Sequence, residues 1–374
     1  MKKLDIVIFG LSITSAWGNG HATTYRSLVK ALALRGHRIT FFEKNVPWYE
    51  KNRDLAEPPF CRTVLYTSVK ELGAWGDILE QADLVILGSY VPDSQKCAAI
   101  IKRLTPACFA FYDIDTPVTL AKLERGDFEY LHPEMIPEFD MYWSFSGGPI
   151  LQKLEKDFGA RRAMPLYCSV DTDLYYPDRE GSFSRNSDRK KILLGYLGTY
   201  SEDRQPAVDE LLVEPARILD GSRFCVAGAQ YPEAIPWPEN IELISHIPPS
   251  GHRSFYNAQR FTLNVTRSAM ISAGFSPSVR LFEAGACATP VISDFWPGLD
   301  SFFRIGEEIL VAGTSREVLE YLDIDDEQRL KIAEGFRNRI MKSHTSRHRA
   351  LEVESYWQEV SAQVQAAQRS GETI

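Results

Sequence analysis

The chain has 374 residues, 44% hydrophobic and 25% charged, with 42 Lys and Arg against 50 Asp and Glu for a net charge of −8. That length suits two globular domains, and the acidic balance argues against a nucleic-acid partner. Six scattered cysteines without a Cys-x-x-Cys pair point away from a disulfide or cysteine–metal framework and towards a cytoplasmic location, and no apolar run approaches the roughly 20 residues that span a bilayer.

Lys2 and Lys3 precede an apolar run from Ile6 to Leu11, but Asp5 cuts that run off from Leu4 and no small-residue cleavage site follows. The run therefore reads as a first buried strand, not a leader. Strand-length apolar runs recur at 4–10, 38–43, 84–88, 107–112 and 141–146. Their unbroken Val, Ile, Leu and Phe content predicts strands buried on both faces, hence a parallel sheet. Between the first two, residues 23–35 carry Leu28, Ala31, Leu32 and Leu34 at helical spacing, and Gly36 stops the helix. The result is a βαβ opening with a right-handed crossover.

Carboxyl ends of parallel strands are where such sheets build sites. At the first of them, Gly18 and Gly20 permit close approach of a ligand, and His21 opens the following helix. The plain alternative is a turn that only starts that helix. A dinucleotide fingerprint fails because Thr23 stands at its third glycine, and Glu43 is only a generic match for its acidic residue. Asp113-Ile114-Asp115-Thr116-Pro117 follows the fourth run. Its two carboxylates could orient hydroxyls or serve as a base, and bringing them close would raise the pKa of one of them; the plain alternative is a turn before Pro117. Ser146-Gly147-Gly148-Pro149 reads equally as a tight bend or a site.

Residues 178–190 are polar and aperiodic, as in an exposed linker. Beyond them, strands are expected at 191–196, 223–226, 241–244, 261–265, 290–293 and 309–311, and helices at 315–322, 326–341 and 347–367. Gly198 and Arg204 follow the first of these strands, and Arg267 follows the fourth. In the stretch 276–294, Ser276 suits a helix cap and Pro277 a first turn. Free N–H groups at such an end attract phosphate. Arg280 and Glu283, three apart, project from one side, a cation and a carboxylate suited to a diphosphate and a ribose. His344 and His348 share an i,i+4 spacing without the glutamate of a His-Glu-x-x-His site, so they read as helix residues. The dispersed tryptophans read as core.

The stretch from Arg280-Leu-Phe-Glu283-Ala284 to Thr289-Pro290-Val291-Ile292 resembles the nucleotide-sugar site of group 1 glycosyltransferases of GT-B fold. Glu283 matches the second glutamate of that group's usual pair, and Phe275 stands where the first falls. With Asp294 and Gly298-Leu299 following, and His344-Thr345 ahead of Arg347 and Arg349, the pattern is more similar to the spore-maturation CgeB-like branch. Cys168-Ser169-Val170-Asp171 to Pro177 resembles the entry to the interdomain hinge in the group, with Ser169 at a glycine position.

The resemblance implies an α/β chain of GT-B architecture, two Rossmann-like domains facing across a cleft that closes about the linker. Residues 1–177 would hold the acceptor, 178–190 link, 191–345 bind the nucleotide-sugar, and 346–374 form a helix crossing back to the first domain. It implies transfer of a sugar from a nucleoside-diphosphate donor to a hydroxyl acceptor, by the retaining course usual in the group, without metal or cofactor. Arg204 and Arg280, helped by Arg267, would bind the diphosphate, with Gly198 admitting the phosphate. Gly18 and Gly20 would contact the donor, Glu283 would fix the ribose, and Asp113, Asp115 or His21 would position or deprotonate the acceptor hydroxyl. Asp113-Ile114-Asp115 has the Asp-x-Asp spelling and leaves metal bridging in the acceptor half as a minor alternative. The rivals are a sugar-nucleotide epimerase of the same fold and a non-catalytic nucleotide- or glycan-binding protein.

Overall fold

The computed structural model describes residues 2–104, 106–178 and 192–370, with side chains as far as 362. The expected linker, apart from Asp178, lies outside the described residues. The chain divides into two compact units, Met1–Cys168 with Ser346–Ile374, and Ser169–Thr345. The first boundary thus falls ahead of residue 177.

The first unit is built on seven parallel strands: β1 (Asp5–Gly10), β2 (Arg38–Lys44), β3 (Arg62–Tyr66), β4 (Leu84–Gly88), β5 (Phe109–Asp113), β6 (Met141–Ser144) and β7 (Ala163–Pro165). Their order is β3-β2-β1-β4-β5-β6-β7. Leu84–Gly88 and Phe109–Asp113 are buried at every position, which is why they read as continuous apolar runs. The edge strand Arg62–Tyr66 was not expected, because Arg62 and Thr63 leave an apolar run of only three residues. Nor was β7, which is only 3 residues long. The helix His21–Leu34 covers one face and ends ahead of Gly36, whose φ of 92° a side chain resists.

The terminal helix Ser346–Ser370 belongs to this unit. Ala350, Val353 and Val360 enter the same buried cluster as Leu28 and Leu32. Glu354, 1% exposed, receives Arg35 through two hydrogen bonds of 2.5 and 2.6 Å. It also receives Nε2 of His37 at 2.8 Å, whose Nδ1 accepts the backbone N–H of Leu4 at 3.0 Å. That acceptor role fixes the proton on Nε2, where it points at the carboxylate.

The second unit has six parallel strands, β8 (Ile192–Leu197), β9 (Phe224–Ala227), β10 (Ile241–Ile244), β11 (Gln259–Asn264), β12 (Val291–Ser293) and β13 (Leu310–Val311), in the order β10-β9-β8-β11-β12-β13. The helix Val279–Ala286 begins later than the sequence suggested. Ser278, not Ser276, is its cap: extended at φ −75°, ψ 141°, it accepts the Arg280 N–H at 3.4 Å. Gly285 lets this helix lie against Asp326–Ser343, since a Cβ there would stand 2.6 Å from Ile340 Cγ1. His344 ends that second helix while His348 lies inside the terminal one, so the i,i+4 reading of the pair is corrected. The His344 ring instead stacks on Phe282 at 4.9 Å. Among the described residues no helix is long and apolar enough to cross a membrane.

Candidate functional site

Strand order reverses between β8 and β11 in the second unit, and such switch points hold ligands beyond the strands' carboxyl ends. Arg280 reaches this point from its helix. Its Nε donates to the Leu197 carbonyl at 2.5 Å and its Nη1 to Asn264 Oδ1 at 2.7 Å, linking the ends of both strands. Asn264 Nδ2 donates to Ser293 Oγ at 2.9 Å, which orients the amide oxygen towards the arginine. The guanidinium lies over the Tyr196 ring, 5.0 Å from its centroid.

Arg204 is buried at 7% exposure. Its Nη2 donates to the Thr199 carbonyl, and its Nε is buried without a hydrogen-bond partner. Burial lowers its pKa, and the charges of Arg280 and Arg267 push the same way. Among the described residues none of these three arginines makes an ion pair. Gly198 is demanded by the crowding: a Cβ would stand 2.6 Å from Tyr196 Oη and 3.1 Å from Arg280 Nη2. The Tyr196 hydroxyl is itself buried without a partner. Buried cations without carboxylates are costly, so this arrangement suits an anion with several oxygens.

Glu283 lies one turn further along the helix, 4% exposed. Its Oε2 accepts the Tyr256 hydroxyl at 3.1 Å and stands 3.7 Å from Nδ1 of His252. Burial favours the neutral His252 ring, but Glu283 outweighs it and raises the pKa.

In the first unit the reversal lies between β1 and β4. Gly18, at φ 67°, and Gly20 are exposed, with nothing within 4 Å of an added Cβ. The loop carrying them is anchored by Glu43, which is fully buried and accepts the N–H groups of Ile13 and Thr14 at 2.6 and 2.9 Å. That carboxylate holds the loop, which removes it as a ribose ligand. Asp54 adds a second anchor, accepting Ala16 N–H at 2.8 Å while paired with Arg26.

His21 is 7% exposed, with Nε2 3.7 Å from Asp115 Oδ2 and Nδ1 buried without a hydrogen-bond partner. Its ring meets the edge of Tyr90, a non-glycine residue held at φ 61°. Asp115 is partly exposed, whereas Asp113 is fully buried. Asp113 Oδ1 accepts Thr119 Oγ1 at 2.6 Å, and Oδ2 accepts the Tyr142 hydroxyl at 2.6 Å. Burial lifts its pKa to about 6 despite these donors. This is a correction to the sequence reading of Asp113 as an acceptor-facing group: it has no surface to offer and acts as a support for the strand end. Among the described residues no group of three or more His, Cys, Asp or Glu side chains is arranged to hold a metal ion.

Residues 204–355 match the family model for glycosyl transferase-like proteins. The glycosyl transferase-like stretch opens at Arg204 and contains Arg267, Arg280, Glu283 and Asp294. Solved structures agree on the fold. An alpha-glucosyltransferase in complex with UDP-glucose and DNA containing an abasic site superposes with a TM-score of 0.71 at 13% identity, covering 96% of this chain and 100% of that one. HepE of Anabaena in complex with UDP and glucose gives 0.67 at 11% identity, over 95% and 100% of the chains. Sucrose-phosphate synthase from Thermosynechococcus elongatus gives 0.66 at 13%, over 96% and 99%. No curated protein sequence matches the chain. With two parallel sheets and flanking helices, the fold is GT-B.

Within the glycosyl transferase-like stretch, sequence reasoning missed Tyr256, His252 and Asn264. The helix Pro249–Asn257 that carries Tyr256 and His252 has a proline-glycine start that hides it. Asn264 did carry a signal: a polar side chain ending an apolar strand, followed by Thr266 and Arg267.

Proposed function

We propose that this chain is a glycosyltransferase of the group 1 type, moving a sugar from a nucleoside-diphosphate donor to a hydroxyl acceptor. The observation that carries the reading is the set of three arginines without ion-pair partners at the β8/β11 switch point, two of them buried. Departure of a nucleoside diphosphate leaves negative charge, and fixed cations in a dry site stabilise it as it develops. Arg280 and Arg204 bind the diphosphate with Arg267 assisting, Gly198 gives the phosphate room, and Glu283 holds the ribose. These arginines supply the neutralisation that the transfer needs, so the reading requires no metal. The glycosyl transferase-like match and the UDP and UDP-glucose complexes of the structural neighbours support the donor class.

The first unit takes the acceptor. Asp115 and His21 position its hydroxyl, Gly18 and Gly20 keep the loop beside them open, and Asp113 supports Asp115 from beneath. The Arg280–Ala284 motif with Asp294 and Gly298-Leu299 favours the CgeB-like branch, and a retaining course follows from the group 1 resemblance. The test is release of nucleoside diphosphate from UDP-glucose, GDP-mannose, ADP-glucose and dTDP-glucose, with water or a sugar panel as acceptor. One donor should be consumed by the wild type, and Arg280→Ala should lower the rate on the order of a hundredfold. Equal release by wild type and Arg280→Ala would overturn the reading.

A further inference from the structure

Arg267 sits between two residues that are each gripped by an aspartate. On one side Thr266 donates its backbone N–H to Asp294 Oδ2 at 2.8 Å and its hydroxyl to Oδ1 at 2.7 Å. On the other, Ser268 donates its N–H and its hydroxyl to Asp203 Oδ2 at 2.9 and 3.1 Å. Asp294 follows β12 and Asp203 lies in the loop after β8, so three strand ends are tied together around one arginine. Neither aspartate pairs with Arg267, whose exposed guanidinium makes no hydrogen bond or ion pair among the described residues. Asp203 instead takes a further hydrogen bond from Ser201, and its neighbour in sequence is Arg204.

We infer that Asp203 and Asp294 are positioning residues that present Arg267 to the donor diphosphate. The inference rests on the donor reading above. A long arginine on a free loop would lose rotamer and backbone freedom on meeting phosphate; fixing the backbone on both sides in advance removes part of that loss. Asp203 serves a second arginine as well, because its bond to Ser268 joins the Arg204 loop to the Arg267 loop. Burial raises the pKa of Asp294, while hydrogen bonds from Ser201 and Ser268 offset burial and lower that of Asp203.

The experiment is a double-mutant cycle read by calorimetric titration with inorganic pyrophosphate, which is blind to the nucleobase, and with UDP. Arg267→Ala, Asp203→Asn and Asp294→Asn should each weaken pyrophosphate on the order of fivefold. Asp294→Asn combined with Arg267→Ala should bind no more weakly than Arg267→Ala alone, because Asp294 acts through that one side chain. Thr266→Val should reproduce the Asp294→Asn effect and Thr266→Ser should restore binding, which keeps the test open if an aspartate variant misfolds. Additive losses in the double variant, or wild-type affinity in Asp203→Asn and Asp294→Asn, would overturn the inference. Arg280→Ala separates the two claims: if neither it nor the wild type binds pyrophosphate or UDP, the donor reading fails and the inference with it.

Discussion

A guanidinium removed from water needs an anion or a set of carbonyl acceptors, and Arg280 and Arg204 have only acceptors. On the proposed reading, a donor diphosphate would complete both. Hydrogen bonds to charged groups contribute about 1.5–3 kcal/mol each, so Arg204→Ala should weaken nucleoside diphosphate binding roughly tenfold to a hundredfold. Arg280→Lys should fail nearly as badly as alanine, because one ammonium cannot bridge Leu197 and Asn264 while presenting a planar fork; titration of both variants checks this. Asp113 gives a pH prediction. Its folded pKa of about 6 lies above the ordinary 3.8. Its favourable contribution is therefore full below about pH 4 and is lost as pH rises through about 6, a change of about 3 kcal/mol. Denaturant unfolding of wild type minus Asp113→Asn should fall across that window, and a flat difference would contradict the burial argument. The Arg280–Glu283 spacing was legible because i,i+3 residues share a helix face whatever surrounds them. The inward turn of Asp113 was not, because Thr119 and Tyr142, which receive it, are set by tertiary packing.

The glycosyl transferase-like helix Val279–Ala286 is short, yet Leu281, Phe282 and Ala284 to Ala286 are buried, and packing rather than propensity holds it. Gly198 follows β8 and Gly228 follows the neighbouring β9: a Cβ on Gly228 would collide with the Gly198 carbonyl. Gly198→Ala should leave the fold's circular dichroism unchanged and lower nucleotide affinity by displacing Arg280. Gly228→Ala meets backbone rather than a movable side chain, so it should cost about 1–3 kcal/mol of stability by overpacking, read as a lower thermal midpoint. At this scale the interior strands were legible, since burial on both faces writes an unbroken apolar run. The edge strand Arg62–Tyr66 faces solvent and loses that mark. The helix start was misplaced because Ser276 and Ser278 both qualify as caps, and only the backbone conformation distinguishes them.

Across the whole molecule the two-unit division was foreseeable from length and from the repeated strand pattern, and the terminal helix was expected to return to the first unit. Its anchor was not visible, because Glu354 meets Arg35 and His37 across more than three hundred residues of sequence. Breaking a buried pair by removing one partner costs about 3–5 kcal/mol, so Glu354→Ala should lower the stability of the first unit while leaving nucleotide binding by the second intact. The central claim, a nucleoside diphosphate held by Arg204 and Glu283 in the second unit, is tested most directly by a thermal-shift panel of UDP, GDP, dTDP, ADP and CMP on wild type, Arg204→Ala and Glu283→Ala. Ligand bound to the native state raises the midpoint by mass action. The account predicts that one diphosphate stabilises the wild type and that its shift largely disappears in both variants. No shift with any nucleotide at millimolar concentration, or equal shifts in all three proteins, would contradict it.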